Sequence, residues 1–319
     1  MNHPIDPKID CVFKALLGSE SNRALLIHFL NAILGPALPA PITEVEILNP
    51  YNDKEFLDDK LSIVDVKARD QRGSLHQIEI QLLANRDLLA RILYTWADLY
   101  SSQLHSGEDY STLKPTYAIW LLGEDLLPKE RPEFVHDFRL RDGAGRLLLD
   151  HGGIWLLELN KFHADAVQTE QDRWLKFFTE GERLDPGALP TWMHTDEMKQ
   201  AMSTLKAFSD KDRAYHAYQA RQNYLREQRS IQRHLDELKT ETEQQRAALE
   251  QARAEKEQAQ AEKEQERAAK EQERAAKEQA QTRAEQERAA KEQERAEKEA
   301  ALAEIALLKA QLQDQTRTH

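Results

Sequence analysis

Cysteine is almost absent from this sequence of 319 residues. Cys11 is the only one, so the chain can form neither an internal disulfide bond nor a cysteine-based zinc site. The eleven histidines are scattered, and none shows the H-E-x-x-H spacing that places two zinc ligands on one helical face. Cysteine-based zinc sites and H-E-x-x-H zinc sites are therefore excluded.

Long apolar runs are also missing. No stretch approaches the roughly 20 apolar residues that cross a bilayer, and the first residues lack the basic start and apolar run of a signal peptide. The sequence contains no G-x-x-x-x-G-K-[ST] phosphate loop and no G-x-S-x-G nucleophile elbow. We therefore expect a cytoplasmic protein that has no membrane partner and uses neither of these two motifs.

Positive charge is in short supply. The formal net charge is -12, and residues 1–220 carry 24 Lys and Arg against 34 Asp and Glu. Non-specific affinity for nucleic acid comes mainly from Lys and Arg that neutralise phosphates. Contact with DNA would therefore need a local basic strip, a divalent metal or a partner protein.

Glycine and proline disappear after about residue 220. Ala, Glu, Gln, Lys and Arg take over, and between 254 and 302 they follow a seven-residue repeat of the type AEKEQER. These residues favour helix, and Glu and Lys at neighbouring helical positions add roughly 0.2–0.5 kcal/mol per pair. The sequence predicts two parts, a compact domain over 1–220 and a long charged helix over 221–319.

Two interpretations of the charged helix remain open. A coiled coil needs apolar residues at both seam positions of the heptad, whereas the middle of this repeat offers alanine with charged or amide residues and would be a weak coiled coil at best. The flanks are more apolar, with one group near 231–249 and another near 302–312. The segment is either a solvated spacer with apolar ends or a coil that joins copies into a homo-oligomer.

The first 220 residues alternate between helical and extended patterns, which predicts an α/β domain with a mixed sheet flanked by helices. Asn22 is the expected cap of the first long helix, and the helix over 85–100 is expected to bury Leu88, Leu89, Ile92, Leu93, Trp96 and Tyr100. The predicted helices span 22–34, 85–100, 165–178 and 197–208. The predicted strands span 42–48, 61–68, 75–83, 117–122, 134–140 and 154–159.

Strands 61–68 and 75–83 flank a turn and combine apolar alternation with acidic residues. Strand side chains alternate between faces. Ile78 and Ile80 are therefore expected to point to a core, and Gln77, Glu79 and Gln81 to point away from it. A hairpin centred on Arg72 places Asp65 opposite Glu79 and Lys67 opposite Gln77. The two carboxylates would then have Cβ atoms about 5 Å apart.

Two carboxylates that close together repel each other and favour a divalent cation, and hard oxygen ligands suit Mg²⁺ or Mn²⁺. Such an ion can polarise a phosphodiester and activate water. The alternative is that Asp65, Lys67, Glu79 and Gln81 only line the wet face of an antiparallel sheet.

Several short motifs in a fixed order carry a family resemblance across residues 6–215. They are Asp10-x-x-Phe13-Lys14, LSIVDVKARDQRG over 61–73, Ile78-Glu79-Ile80-Gln81, Arg91-x-x-Tyr94, Gly107-Glu108-x-Tyr110 with Lys114-Pro115, and Leu157-Glu158-Leu159-x-Lys161. Together they resemble the PD-(D/E)XK nuclease superfamily, and within it the Rpn family of recombination-promoting nucleases and transposase-like proteins.

The resemblance implies a restriction-endonuclease-like fold that cuts nucleic acid with Mg²⁺ held by Asp65 and Glu79. Gln81 stands where the superfamily pattern has lysine, and an amide can orient water but cannot supply a positive charge. Lys67 on the same face could replace that charge. Lys14 could reach the site from the first helix, although an ion pair with Asp10 is the simpler expectation, and Arg91 could either touch a phosphate or remain solvated.

From the resemblance and the predicted hairpin we expect a Mg²⁺-dependent DNA endonuclease that promotes recombination, with Asp65 and Glu79 as metal ligands and Gln81 positioning water. The alternative is a nuclease-like module with little or no turnover that binds DNA or assembles with partners through the helical tail.

Overall fold

The computed structural model describes residues 3–48, 65–128 and 130–315. The chain divides into two compact units, Met1–Gln232 and Arg233–His319. The first unit contains a six-stranded sheet and five α-helices in the described residues, and a sixth helix begins in it. The strands are β1 Val45–Leu48, β2 Val66–Asp70, β3 Leu75–Gln81, β4 Thr116–Leu122, β5 Val135–Phe138 and β6 Gly152–Glu158. The helices are α1 Asp10–Leu17, α2 Arg23–Leu34, α3 Leu88–Ser101, α4 Glu170–Glu180, α5 Asp196–Asp210 and α6 Asp212–Gln315.

The sheet is mixed, as the sequence predicts. Its strand order is β1-β2-β3-β4-β6-β5, in which β3, β4 and β6 are parallel and the other neighbours are antiparallel. Every residue of the central strand β4, TYAIWLL, is buried, because helices cover both faces of a sheet of this kind. The mixed α/β fold class is therefore confirmed.

The two faces of the sheet pack against different helices. One face, with Val66, Ile78 and Ile80, joins the large core formed with α1, α2, α4 and α5. The opposite face carries a smaller cluster in which Leu88 and Ile92 of α3 pack against buried side chains of β4 and β6. Each large apolar side chain that is fully buried stabilises the fold by roughly 1.5–3 kcal/mol, and these contributions hold each helix in place.

Helix α3 buries a narrower stripe than predicted. Leu89 and Leu93 are 52% and 57% exposed, so their predicted burial is wrong. The buried positions are Leu88, Ile92, Thr95 and Leu99, because the small cluster needs only one row of side chains at helical spacing. Trp96 and Tyr100 are half-buried at its side.

Two predicted helix starts are also corrected. Asn22 precedes α2 but does not cap it, since its side-chain amide donates to the Ala15 carbonyl at 2.8 Å and to Thr204 Oγ1 at 3.1 Å. Helix α4 begins at Glu170, five residues later than expected, because Thr169 and Asp172 form a capping box there.

The first turns of α6 belong to the first unit. The helix begins at Asp212, before the change of composition near 220, and Tyr218 and Leu225 are 2% and 8% exposed.

No helix of the described residues is long and apolar enough to cross a membrane. Residues 61–64 of the predicted second strand lie outside the described residues.

Candidate metal-binding and catalytic site

The turn between β2 and β3 sets the register of the hairpin. Asp70 Oδ1 accepts hydrogen bonds from the amides of Arg72 and Ser74, at 2.8 and 3.0 Å, and Gly73 adopts a positive φ of 83° that suits glycine. The strands pair with Lys67 opposite Gln77. The predicted register is therefore confirmed, and Asp70 and Gly73 serve the turn.

Asp65 and Glu79 converge at the open end of this hairpin. Asp65 immediately precedes β2, and its Oδ2 accepts a hydrogen bond from the Ile80 amide at 3.0 Å. The negative charge of Asp65 also acts on the Glu79 carboxylate. The two side chains predicted to face each other thus share one site.

The face that carries Glu79 is not wet. Glu79 is 3% exposed and Gln77 is fully buried, because α3 covers this side of the sheet. Burial and the nearby charge of Asp65 raise the pKa of Glu79 to about 8, although the Arg91 guanidinium and the Gln77 side chain act in the opposite direction. The expectation that Glu79 lines a solvated face is therefore wrong, whereas Asp65, Lys67 and Gln81 are only partly buried.

Lys14 of α1 contacts one member of the acidic pair. Its Nζ lies 3.2 Å from Asp65 Oδ1, whereas Asp10 pairs with Arg221 Nε at 3.2 Å. The expected ion pair between Lys14 and Asp10 is therefore wrong, and α1 delivers its lysine to the site instead. The lysine side chain remains 44% exposed, which leaves its charge accessible from solvent.

The comparison with known families agrees with this geometry. The model of the PD-(D/E)XK nuclease family transposases matches residues 7–234. The chain belongs to this family. No curated protein and no solved structure gave a significant match. Membership supports a nuclease-like role with DNA as the expected class of partner, and PD-(D/E)XK nucleases generally use divalent metals.

Gln81, where the PD-(D/E)XK pattern has lysine, lies at the end of β3 and is only partly buried. Its amide Nε2 donates to the Leu83 carbonyl at 2.8 Å, and its Oε1 accepts from Arg91 NH1 at 3.2 Å. The Arg91 guanidinium also stands 5.4 Å above the Trp120 ring. These two contacts hold the exposed Arg91 side chain beside the site of this PD-(D/E)XK chain, and its contact with a phosphate stays a prediction.

Lys67 and Gln77 complete the surroundings of the PD-(D/E)XK acidic pair. Lys67 is partly buried on β2, directly opposite Gln77, so its predicted role stays a prediction. Gln77 donates from Nε2 to Glu79 Oε1 at 3.3 Å, while its own Oε1 is buried with no hydrogen-bond partner. Sequence reasoning missed Gln77 as a site residue, although its spacing of two from Glu79 on one strand was the available signal.

A second buried acid, Glu158 on β6, shows by contrast what a fully compensated carboxylate looks like. It accepts from the amides of Leu126 and Leu127, at 2.6 and 2.8 Å, and contacts Lys161 Nζ at 2.7 Å and His136 Nε2 at 3.1 Å. These partners outweigh its burial and lower its pKa. Glu158 therefore fixes the loop after β4, whereas Glu79 lacks comparable compensation.

The donor set at Asp65 and Glu79 fits a hard divalent cation. Both side chains are carboxylates, and the raised pKa of Glu79 shows that the site disfavours a second negative charge, which a cation would relieve. Among the residues that the structure describes, no group of three or more His, Cys, Asp or Glu side chains is arranged to hold a metal ion. Two carboxylates with waters suit Mg²⁺ or Mn²⁺ better than zinc.

Proposed function

We propose that this chain is a Mg²⁺-dependent DNA endonuclease that hydrolyses phosphodiester bonds and promotes DNA recombination. The observation that carries the proposal is the convergence of Asp65 and Glu79, which the hydrogen bond from the Ile80 amide to Asp65 Oδ2 at 3.0 Å fixes. This pair lies within the segment that matches the PD-(D/E)XK nuclease family transposases.

The proposed roles follow from the contacts. Asp65 and Glu79 hold Mg²⁺ or Mn²⁺, which when bound supplies Lewis acidity and lowers the pKa of a coordinated water. Lys14 provides a positive charge at the exposed edge of the pair, where a phosphate would approach. Gln81, held by Arg91, orients water.

Nicking of supercoiled plasmid by the full chain tests this proposal. We expect conversion to open circles with Mg²⁺ or Mn²⁺, loss of conversion with excess EDTA, and recovery when the metal is restored. A chain that binds Mg²⁺ but leaves plasmid, linear and single-stranded DNA intact under all these conditions would contradict the proposed activity.

A second candidate function is a nuclease-like module that binds DNA or assembles with partners without turnover. It is favoured by Gln81, whose side chain is already engaged by Leu83 and Arg91 and which brings no charge. Calorimetric titration distinguishes the nuclease from a module that has also lost its metal site, since such a module shows no Mg²⁺ binding that depends on Glu79.

Replacing Lys14 tests whether α1 supplies the cation that Gln81 cannot. In Lys14→Met we expect kcat for plasmid nicking to fall by roughly 10- to 100-fold, because a charge that stabilises the transition state is lost. Mg²⁺ affinity should hold or increase, since a positive charge beside Asp65 is removed. Lys14→Arg should recover part of the rate.

A matched control is Lys199→Met, which removes another exposed lysine paired with a carboxylate, Asp196, at 3.5 Å. This variant should nick at the wild-type rate. An unchanged kcat in Lys14→Met would remove Lys14 from the site, and Lys67→Met would then be the next variant to measure.

A further inference from the structure

Helix α6 carries two groups of exposed apolar side chains in its described residues. Ile231, Leu235 and Leu238 are 47%, 46% and 44% exposed, and Ile305 and Leu308 are 48% and 52% exposed. Apolar side chains grouped at spacings of three and four residues form a stripe on one side of a helix. Both ends of the charged segment therefore present an apolar surface that no other described residue of the chain covers.

The two groups share one heptad frame. Leu235 and Ile305 are seventy residues apart, and so are Leu238 and Leu308, which is ten heptads in each case. A straight α-helix drifts about 20° per heptad relative to a seven-residue repeat, so the two groups would face different sides of a lone helix. Only a left-handed supercoil, which requires a partner helix, keeps them on one seam.

The seam between the two groups is charged in a regular way. In this frame one seam position holds Glu266, Glu273, Glu287 and Glu294, and the other holds Lys256, Lys263, Lys270, Lys277, Lys291 and Lys298. A parallel partner in register would place each of these residues against its own copy. Ten like-charged layers would result, which is strongly unfavourable.

An antiparallel partner reverses this situation. The register that sets Leu235 opposite Leu308 also sets Leu238 opposite Ile305. The same register brings together the following oppositely charged residues of the two copies: Glu266 with Lys277, Lys270 with Glu273, and Lys256 with Glu287. No layer between the two apolar groups then contains two like charges, although Leu249 falls opposite Glu294. The pairing of the two terminal apolar groups and the pairing of the charges therefore select the same register.

We propose that α6 pairs with α6 of a second copy as an antiparallel coiled coil, in the register that places Leu235 against Leu308. The occupant of the exposed apolar surface is thus the same chain. Within each helix, Lys270, Lys277 and Lys298 also contact the Glu four residues before them. These contacts add little to a lone helix and leave the same side chains accessible across the seam.

Disulfide cross-linking tests the direction and register of pairing. In a Cys11→Ser background of the full chain, Leu235→Cys and Leu308→Cys are made singly and together. We expect only the double variant to give a cross-linked dimer on oxidation. Light scattering of the wild-type chain should give twice the mass of one 36.8 kDa chain. Cross-linking of either single variant, or a monomeric mass at micromolar concentration, would overturn the proposal.

Charge variants test the complementarity separately from helix formation. Lys270→Glu with Lys277→Glu converts the central Glu–Lys layers to Glu–Glu, and we expect the dissociation constant to rise about tenfold or more. Adding Glu266→Lys and Glu273→Lys restores opposite charges both within and between helices, so affinity should return. Circular dichroism at matched concentrations reports helicity. If the variant with all four substitutions is helical but stays dissociated, the antiparallel register is contradicted.

Discussion

Glu79→Gln and Asp65→Asn should each lower the rate of Mg²⁺-dependent plasmid nicking by roughly 100-fold or more, since even residues that only support a metal ligand cost 10- to 100-fold. Each change removes one charged oxygen ligand and keeps the shape of the side chain. Calorimetry should show a matching loss of Mg²⁺ affinity, which separates a missing ligand from a defect in DNA binding.

The control for this pair is Glu46→Gln. Glu46 lies on β1 of the same sheet and contacts Arg69 NH1 at 3.2 Å, with 65% of its side chain exposed. Its replacement should leave both nicking and Mg²⁺ binding at wild-type levels. If both Glu79→Gln and Asp65→Asn nick plasmid at the wild-type rate, the reaction takes place elsewhere in the chain.

The hairpin could be predicted because its determinants are local. Asp70 and Gly73 specify the turn, and once the turn is fixed, the two-residue alternation of strands decides which side chains share a face. The identity of Glu79 as the partner of Asp65 follows from the turn and the alternation alone. Most helix and strand positions were predictable for the same reason.

The environment of the pair could not be predicted, since it depends on contacts between distant segments. The burial of Glu79 requires α3 to cross the sheet over β4, and the strand pattern alone looks the same whether that face is covered or wet. Lys14 and Asp65 lie 51 positions apart in the chain, so no spacing rule connects them. The exposure of Leu89 and Leu93 likewise reflects how little of α3 the small cluster covers.

The acidic pair should also make the folded state depend on pH in the absence of divalent metal. The pKa of Glu79 is raised to about 8 in the folded chain, from an ordinary value of 4.5. Between these values the unfolded chain has released this proton while the folded chain still holds it. The free energy of unfolding therefore falls as pH rises through this window.

We expect Glu79→Gln to remove that dependence. The measured quantity is the free energy of unfolding of Glu79→Gln minus that of wild type, both in EDTA. This difference should increase by about 3 kcal/mol from pH 5 to pH 7.5, because wild type loses up to 1.36 kcal/mol per pH unit in this range. Urea unfolding followed by tryptophan fluorescence measures it, because all five tryptophans lie within residues 1–232. Other titrating groups cancel in the comparison, and Glu46→Gln should track wild type throughout.

Mg²⁺ then links this stability to the proposed site. A ligand that binds only the folded chain stabilises it, and binding to Glu79 requires that its proton be released. Wild-type chain should therefore gain more stability from Mg²⁺ at pH 7.5 than at pH 5, and Glu79→Gln should gain little at either pH. A wild-type response to Mg²⁺ that is equal at both pH values and survives in Glu79→Gln would place the bound ion away from the acidic pair.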